Sequence, residues 1–174
     1  MEDRNHQLHV LNRALEDAAA NGDLNQVQQL INQGATNVTD ALLAAAEEGH
    51  LPVVAYTVGL RSDIVNIKGY FNHALALASE HDHPDVVEYL VEHGADNVNM
   101  ALKWAARHDR LGLVDFLVNH GASNLNEALI EAVTADHLDV VRYMVNHGAT
   151  DLHLASWIAH HEQHPAIREY LDSL

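Results

Sequence analysis

The chain of 174 residues has no cysteine, and only 9 of its residues are lysine or arginine. Without cysteine it can form neither disulfides nor thiolate metal sites. Its formal net charge of −16 disfavours binding to nucleic acid or to anionic membranes, because both depend on lysine and arginine. The charge is compatible with a basic partner, although many soluble proteins are acidic for solubility alone.

Long apolar segments and aromatic residues are scarce as well. The longest unbroken apolar run extends from Ala41 to Ala46, whereas a membrane helix needs about 20 apolar residues. The first residues, MEDRNHQLHV, lack the cationic stretch and apolar run of a secretory signal. We therefore expect a cytoplasmic protein without membrane contact. Aromatic residues are 5% of the chain, so its core must consist of small and branched aliphatic side chains, which favours packed helices.

One sequence pattern recurs along the chain. VEHGADNVNMAL begins at Val91, VNHGASNLNEAL at Val118 and VNHGATDLHLAS at Val145. Counted from Ala14, the chain divides into blocks at residues 14–40, 41–73, 74–100, 101–127, 128–154 and 155–174. We expect a single domain over residues 1–174, in which residues 1–13 lengthen the first helix as an N-terminal cap. The polar residues Arg168, Glu169 and Asp172 are expected to close the array at its other end.

The first half of each block predicts a helix with one small-residue face. Positions 1 and 5 are alanine in all six blocks, and position 2 is leucine in the first five. This spacing places these residues on the same side of a helix, where alanine allows a neighbouring helix to approach closely. Glycine or aspartate at position 9 of the first five blocks then predicts a turn.

The second half of each block predicts another helix. Its apolar spacing is illustrated by Val86, Val87, Leu90 and Val91. This helix is expected to end at a glycine in the left-handed conformation, namely Gly34, Gly94, Gly121 or Gly148. The predicted N-caps of the following helices are Thr39, Asn99 and Asn126. Helices of about ten residues are marginal alone, so the blocks must stack into an all-α solenoid of about six helix pairs.

Two segments carry a resemblance to a known family. ALLAAAEEGHLPVVAYTV, which begins at Ala41, and HGADNVN, which begins at His93, resemble the helix pair and the link of ankyrin repeats. The resemblance covers about residues 14–174 and implies a hairpin-like finger near 61–73, with its tip near Lys68 and Gly69. No block contains the ankyrin TPLH sequence, and the 27-residue blocks lack about six residues in the place where ankyrin repeats carry their finger. A generic α-solenoid of helix pairs is the structural alternative.

The resemblance also implies a concave groove lined by the first helix of each pair, where positions 4, 7 and 8 contact a partner protein. The predicted partner-binding residues are Glu47, Glu48, Leu77, Glu80, His81, Trp104, Arg107, His108, Glu131, Ile158 and His161. Trp104 beside Arg107 is the strongest candidate, because tryptophan and arginine are frequent interface hot spots. Trp104 could instead fill a gap between neighbouring pairs, and Trp157 could pack against the preceding loop.

The 15 histidines raise the question of metal binding or catalysis. Two groups recur at fixed positions, namely His50, His83, His137 and His164 at position 10, and His93, His120 and His147 at position 20. The resemblance implies that the first group holds the turn by hydrogen bonds, and the second lies where a helix C-terminus favours histidine. The best metal candidate is HHEQH, where His160 and His164 are four residues apart but no third ligand is evident. We therefore predict no metal site, no cofactor and no enzymatic activity.

Two functions compete. The first is a monomeric, non-enzymatic module that binds a partner protein as a scaffold or adaptor. Resemblance to small ankyrin-like proteins of intracellular bacteria and large viruses implies an effector that acts in the host cytosol. The second is an acidic inhibitor or antidote of a basic partner, such as a nuclease or a nucleic-acid-binding protein, whose binding would weaken steeply with salt. A metal-dependent hydrolase would require a bound metal.

Overall fold

A computed structural model describes the backbone of residues 2–60 and 67–174 and the side chains of residues 5–60 and 68–174. These residues form twelve α-helices and no strand. The helices are α1 (Glu2–Ala20), α2 (Leu24–Asn32), α3 (Val38–Glu47), α4 (Leu51–Gly59), α5 (Ile67–Glu80), α6 (Pro84–Glu92), α7 (Val98–Arg107), α8 (Leu111–Asn119), α9 (Leu125–Thr134), α10 (Leu138–Asn146), α11 (Leu152–His161) and α12 (Pro165–Asp172). The predicted all-α architecture of six helix pairs is confirmed for the described part of the chain.

The helices group into two compact units, Met1–Asp96 and Asn97–Leu174. In the first unit α1, α3 and α5 pack in sequence, and α2, α4 and α6 form a second layer. In the second unit α7, α9 and α11 form one layer, and α8, α10 and α12 form the other. Each odd-numbered helix also packs on the even-numbered helix that follows it. We call the odd-numbered helices of a unit its first-helix layer and the even-numbered helices its second-helix layer.

The recurring alanine and leucine positions form the core, as the spacing predicts. Leucine at position 2 is at most 1% exposed in all five blocks that carry it, at Leu15, Leu42, Leu75, Leu102 and Leu129. The alanines at positions 1 and 5 are buried except Ala14, which is half-buried. Each fully buried leucine contributes about 1.5–3 kcal/mol by removing apolar surface from water.

The turns also follow the prediction. Position 9 adopts positive φ in all six blocks, at Gly22, Gly49, Asp82, Asp109, Asp136 and Gln163. The glycines that end the second helices, Gly34, Gly94, Gly121 and Gly148, have φ between 94° and 106°. A side chain is costly in that conformation, so glycine stops the helix at these points.

The N-cap prediction was wrong by two residues. The helices begin after Asn37, Asn97 and Asn124, not after Thr39, Asn99 and Asn126. The reason is that an apolar residue at the start of each helix extends it toward the N-terminus; Val98, for example, is only 8% exposed.

The displaced asparagines instead bridge successive pairs. Asn126 accepts hydrogen bonds at Oδ1 from the backbone N–H groups of Thr150 (2.6 Å) and Asp151 (3.2 Å). Asn99 accepts in the same way from Ser123 (2.7 Å) and Asn124 (3.3 Å). In the first unit, Oδ1 of Asn12 accepts a hydrogen bond from the Thr36 N–H at 2.8 Å, and Oδ1 of Asn72 accepts one from the Asp96 N–H at 2.8 Å. Each asparagine therefore ties a first helix to the loop that precedes the next one.

Three of the four position-10 histidines connect successive pairs through Nε2, whereas the resemblance implied that they hold their own turns. The Nε2 atom lies 2.9 Å from the Ala20 oxygen in His50, 2.8 Å from the Glu47 oxygen in His83 and 2.9 Å from the Arg107 oxygen in His137. Each of these oxygens lies at or next to the C-terminal end of the preceding first helix, where main-chain carbonyls lack intrahelical partners. The ring of His83 lies so close over Gly49 that a Cβ atom there would collide with it.

The predicted finger near 61–73 is wrong for residues 67–73, which form the first half of α5. Phe71 is 4% exposed and lies three residues before the buried Ala74, so burying its ring continues the helical register backward. Lys68 and Gly69, the predicted tip, are helical, and Lys68 pairs with Asp96. The rest of the predicted finger, 61–66, lies outside the described residues.

Candidate functional site

The second unit has a pocket on the side of α7 and α9 that faces solvent. Its volume is about 510 Å³, and its lining residues are Asn99, Met100, Lys103, Trp104, Arg107, Asn124, Glu127 and Glu131. Met100, Lys103, Trp104 and Arg107 are three or four residues apart on α7, so helical geometry brings them to one face. The pocket thus combines an aromatic ring with charges of both signs.

The charges on the two helices are paired across the pocket. Lys103 Nζ lies 3.2 Å from Glu127 Oε2, and Arg107 Nε lies 3.6 Å from Glu131 Oε2. Between a quarter and two thirds of each of these side chains is exposed. Exposed ion pairs contribute about 0–1 kcal/mol, so a binding partner could replace them at little cost.

The Trp104 ring contacts two neighbouring side chains of the same helix end. The Arg107 guanidinium lies over its ring at 5.7 Å from the centroid, and the His108 ring is stacked at 5.8 Å. Nε2 of His108 is buried and has no hydrogen-bond partner among the described residues. The structure therefore brings together four of the predicted residues, Trp104, Arg107, His108 and Glu131. Trp104 is half-buried, so part of its ring packs within the unit and part lines the pocket.

A second, smaller pocket lies between α9 and α11. Its volume is about 290 Å³, and its lining residues are Lys103, Asn126, Glu127, Ile130, Glu131, Asp151 and Leu154. Because it shares Lys103, Glu127 and Glu131 with the first pocket, the two adjoin. We use the name α7–α9–α11 face for all residues that line either of the two pockets, together with Trp157 and Ile158.

Helix α11 carries two apolar side chains that the sequence analysis did not place in the site. Leu154 is 48% exposed, and Trp157 is 58% exposed and stacks on His161 at 4.1 Å. The predicted site residues Ile158 and His161 are half-buried and exposed, respectively. Trp157 occupies position 3, the position of Lys103, which pairs with the following first helix.

The remaining predicted residues lie in the first unit, at the ends of α3 and α5. Glu47 Oε1 is 3.7 Å from His81 Nε2, while Glu48 and Glu80 are exposed and Leu77 is half-buried. Residues 1–96 contain 15 acidic and 4 basic residues, a formal charge of −11, whereas residues 97–174 contain 10 and 5, a charge of −5. The predicted residues of this unit thus form an acidic surface without an aromatic ring.

The three histidines of HHEQH make contacts in different directions. His160 Nδ1 lies 2.9 Å from Arg168 Nη1, and the His161 ring stacks on Trp157. His164 Nδ1 lies 3.3 Å from Asp136 Oδ1. In the part of the chain that the structure describes, no group of three or more His, Asp or Glu residues is arranged to hold a metal ion.

The position-20 histidines lie at the helix C-termini, as predicted. Nδ1 of His93, His120 and His147 is 2.7–2.8 Å from the carbonyl oxygen four residues earlier. Each ring also stacks on the aromatic side chain of that residue at 3.8–4.0 Å. These three histidines therefore bond main-chain carbonyls in the last turn of their own helices.

Comparison with known proteins identifies the repeat. No curated protein matches the chain. No helix within the described residues has both the length and the apolar character needed to cross a membrane. The family model described as ankyrin repeats, in 3 copies, matches residues 15–100. Repeats of this family generally mediate protein–protein interaction and are typically not enzymes. Residues 15–100 of this chain are therefore ankyrin repeats, and the helix pairs of residues 97–174 repeat the same succession of helices.

Proposed function

We propose that this chain is a non-enzymatic module that binds a partner protein on the α7–α9–α11 face. The observation that carries the proposal is Trp104 at the edge of a pocket of about 510 Å³, with the Arg107 guanidinium over its ring. Tryptophan and arginine contribute disproportionately to interface energies when they occupy well-packed pockets.

The surroundings of Trp104 favour binding for a second reason. Its ring already contacts the side chains of Arg107 and His108, so a partner would immobilise few additional rotamers. The ion pairs of Lys103 and Arg107 are exposed, and their charges can be shared with polar groups of a partner.

The test begins with affinity capture by the full chain and identification of the captured protein. Calorimetry then compares the unchanged chain with the double variant Trp104→Ala/Arg107→Ala, for which we expect affinity to fall at least about tenfold. The matched control is Leu111→Ala/Arg142→Ala, two exposed residues of the second-helix layer, which should bind normally. Full affinity of the Trp104→Ala/Arg107→Ala chain would contradict the proposed site.

An inhibitor of a basic partner is the second candidate. It is favoured by the charge of −11 on residues 1–96 and by the exposed Glu48 and Glu80 in the first unit. In that case affinity should fall steeply with salt and should drop when Glu47 and Glu48 are replaced by lysine. If neither salt nor the replacement of Glu47 and Glu48 changed the affinity, the Trp104 site would be the better explanation.

A further inference from the structure

Helix α11 differs from the charged surface around it. Its sequence, LHLASWIAHH, contains no Asp, Glu, Lys or Arg, although the chain carries a formal charge of −16. Trp157 and Ile158 follow Leu154 by three and four residues, so both lie beside it on one face of the helix. Leu154 and Trp157 are about half exposed. Adjoining exposed apolar side chains of this kind mark surfaces that are covered by a partner.

The groove beside this helix has apolar walls. Ile130 on α9 and Leu154 on α11 both line the pocket of about 290 Å³. Two aliphatic walls favour an aliphatic side chain of the partner, because its insertion removes apolar surface of both proteins from water.

The rim of the same groove is negative. Glu127, Glu131 and Asp151 line it together with a single cation, Lys103. Lys103 is paired with Glu127 at 3.2 Å, and Arg107 is paired with Glu131 at 3.6 Å. Asp151 is exposed, and its side chain makes no capping hydrogen bond at the start of α11. The groove therefore presents the carboxylate of Asp151 to an incoming positive charge, beside the carboxylate of Glu131 that a partner's cation could share with Arg107.

We propose that the groove between α9 and α11 binds a basic amphipathic segment of the partner protein. An aliphatic side chain of this segment lies between Ile130 and Leu154, and its Lys or Arg side chains face Asp151 and Glu131. The proposal rests on the proposed function and names the class of partner for the same face. A second copy of this chain is a poor occupant, because its own α11 face would bring the same carboxylates together.

The experiment uses two labelled synthetic peptides with the same length and the same leucine spacing, one with lysine and one with glutamate at the polar positions. Fluorescence anisotropy measures their binding to the full chain at low and high salt. We expect the lysine peptide to bind at least about tenfold more tightly than the glutamate peptide, and to weaken as salt rises.

Variants locate the binding site. Leu154→Ala/Trp157→Ala should weaken binding of the lysine peptide at least about tenfold, since both apolar anchors are lost. Asp151→Asn should weaken it about twofold to fivefold, the effect of one exposed ion pair. The matched controls are Leu111→Ala and Asp139→Asn, which change an exposed leucine and an exposed aspartate of the second-helix layer and should have no effect.

The outcomes separate this inference from the proposed function. Absence of lysine-peptide binding, equal binding of the two peptides, or an equal loss in the control variants would overturn the basic-segment inference. If Trp104→Ala/Arg107→Ala nevertheless abolished capture of the natural partner, the proposed function would stand without it. A third outcome is that the lysine peptide binds tightly and loses affinity when Leu154 is replaced, while the natural partner binds the Trp104→Ala/Arg107→Ala chain with full affinity. That result would support the groove between α9 and α11 and overturn the Trp104 site.

Discussion

The Nε2 atom of His137 lies 2.9 Å from the main-chain oxygen of Arg107, a residue 30 positions earlier in the sequence. Arg107 ends α7, so its carbonyl has no partner within the helix. His50 and His83 make the same contact with Ala20 and Glu47 in the first unit. The turn of one helix pair is thus bonded to the C-terminal end of the first helix of the pair before it. This polar contact joins neighbouring repeats in addition to their apolar core.

Replacing His137 by alanine should therefore destabilise the chain. We expect the free energy of unfolding in urea to fall by about 0.5–1.5 kcal/mol, because the Arg107 carbonyl loses its donor. His137→Gln is the control, since a glutamine amide nitrogen can occupy nearly the position of Nε2 and should retain most of the stability. Equal stability of His137→Ala and the unchanged chain would show that the contact does not matter in solution.

Asn126 should protect two backbone amides from solvent exchange. Its Oδ1 accepts hydrogen bonds from the Thr150 and Asp151 N–H groups, so Asn126→Ala should accelerate hydrogen exchange at these two amides. The loss of stability should be about 1 kcal/mol. Asn146→Ala, an exposed asparagine at the end of α10, is the matched control and should change neither quantity. Unaltered exchange at Thr150 in Asn126→Ala would refute the bridge.

The alanine face of the first helices should not tolerate larger side chains. Ala132 is fully buried, and Ala132→Leu should lower the free energy of unfolding by about 1–3 kcal/mol through overpacking. Ala166→Leu makes the same chemical change at an exposed position of α12 and should be nearly neutral. Thermal or urea unfolding of both variants tests the difference, and a neutral Ala132→Leu would mean that space remains between the helices.

Tyr143 should ionise at unusually high pH. Burial first, and then the hydrogen bond that its hydroxyl donates to Asp115 Oδ1 at 2.9 Å, raise its pKa from 10.0 to about 12. Absorbance titration at the tyrosinate band, compared between the unchanged chain and Tyr143→Phe, isolates this group. Asp115→Asn should lower the pKa toward, but not to, its ordinary value, because burial remains. A titration midpoint near 10 for Tyr143 in the unchanged chain would contradict its burial and its contact with Asp115.

The same shift predicts how stability depends on pH. Because the pKa of Tyr143 is higher in the folded state, its stabilising contribution is fully present below the unfolded pKa of 10.0 and disappears as pH rises through about 12. Tyr143→Phe should therefore be less stable than the unchanged chain at neutral pH, and the gap should narrow above pH 10. If the difference in stability between Tyr143→Phe and the unchanged chain stayed constant from neutral pH to above pH 10, ionisation of the Tyr143 phenol would not be its cause.

Several structural features could be predicted because their causes are local in sequence. Leu102 and Ala105 lie on one helix face by their spacing alone, and both are buried. Gly121 and Gly148 end helices because few other residues tolerate their φ. The ankyrin resemblance, in contrast, predicted that Trp104, Arg107 and Glu131 share a groove, and in the structure all three line one pocket.

Other features depended on contacts between residues distant in sequence. Asn99 looked like an N-cap, but its partners are Ser123 and Asn124, 24 and 25 residues away. The ankyrin resemblance implied a hairpin with its tip near Lys68 and Gly69, yet burial of Phe71 extends α5 through these residues. Trp157 fitted an interior or an exposed position equally well, because exposure depends on which helix packs beside it.

The sequence by itself determined the paired helices and their alanine and leucine core, because helical periodicity and turn chemistry act over a few residues. The tertiary structure alone decided which atoms meet between repeats. It decided that His137 bonds the Arg107 carbonyl, that Asn126 bonds the loop before the next first helix, and that Trp157 is exposed on α11. These relationships arise only when helices separated by a whole repeat are packed side by side, and no local propensity specifies that packing.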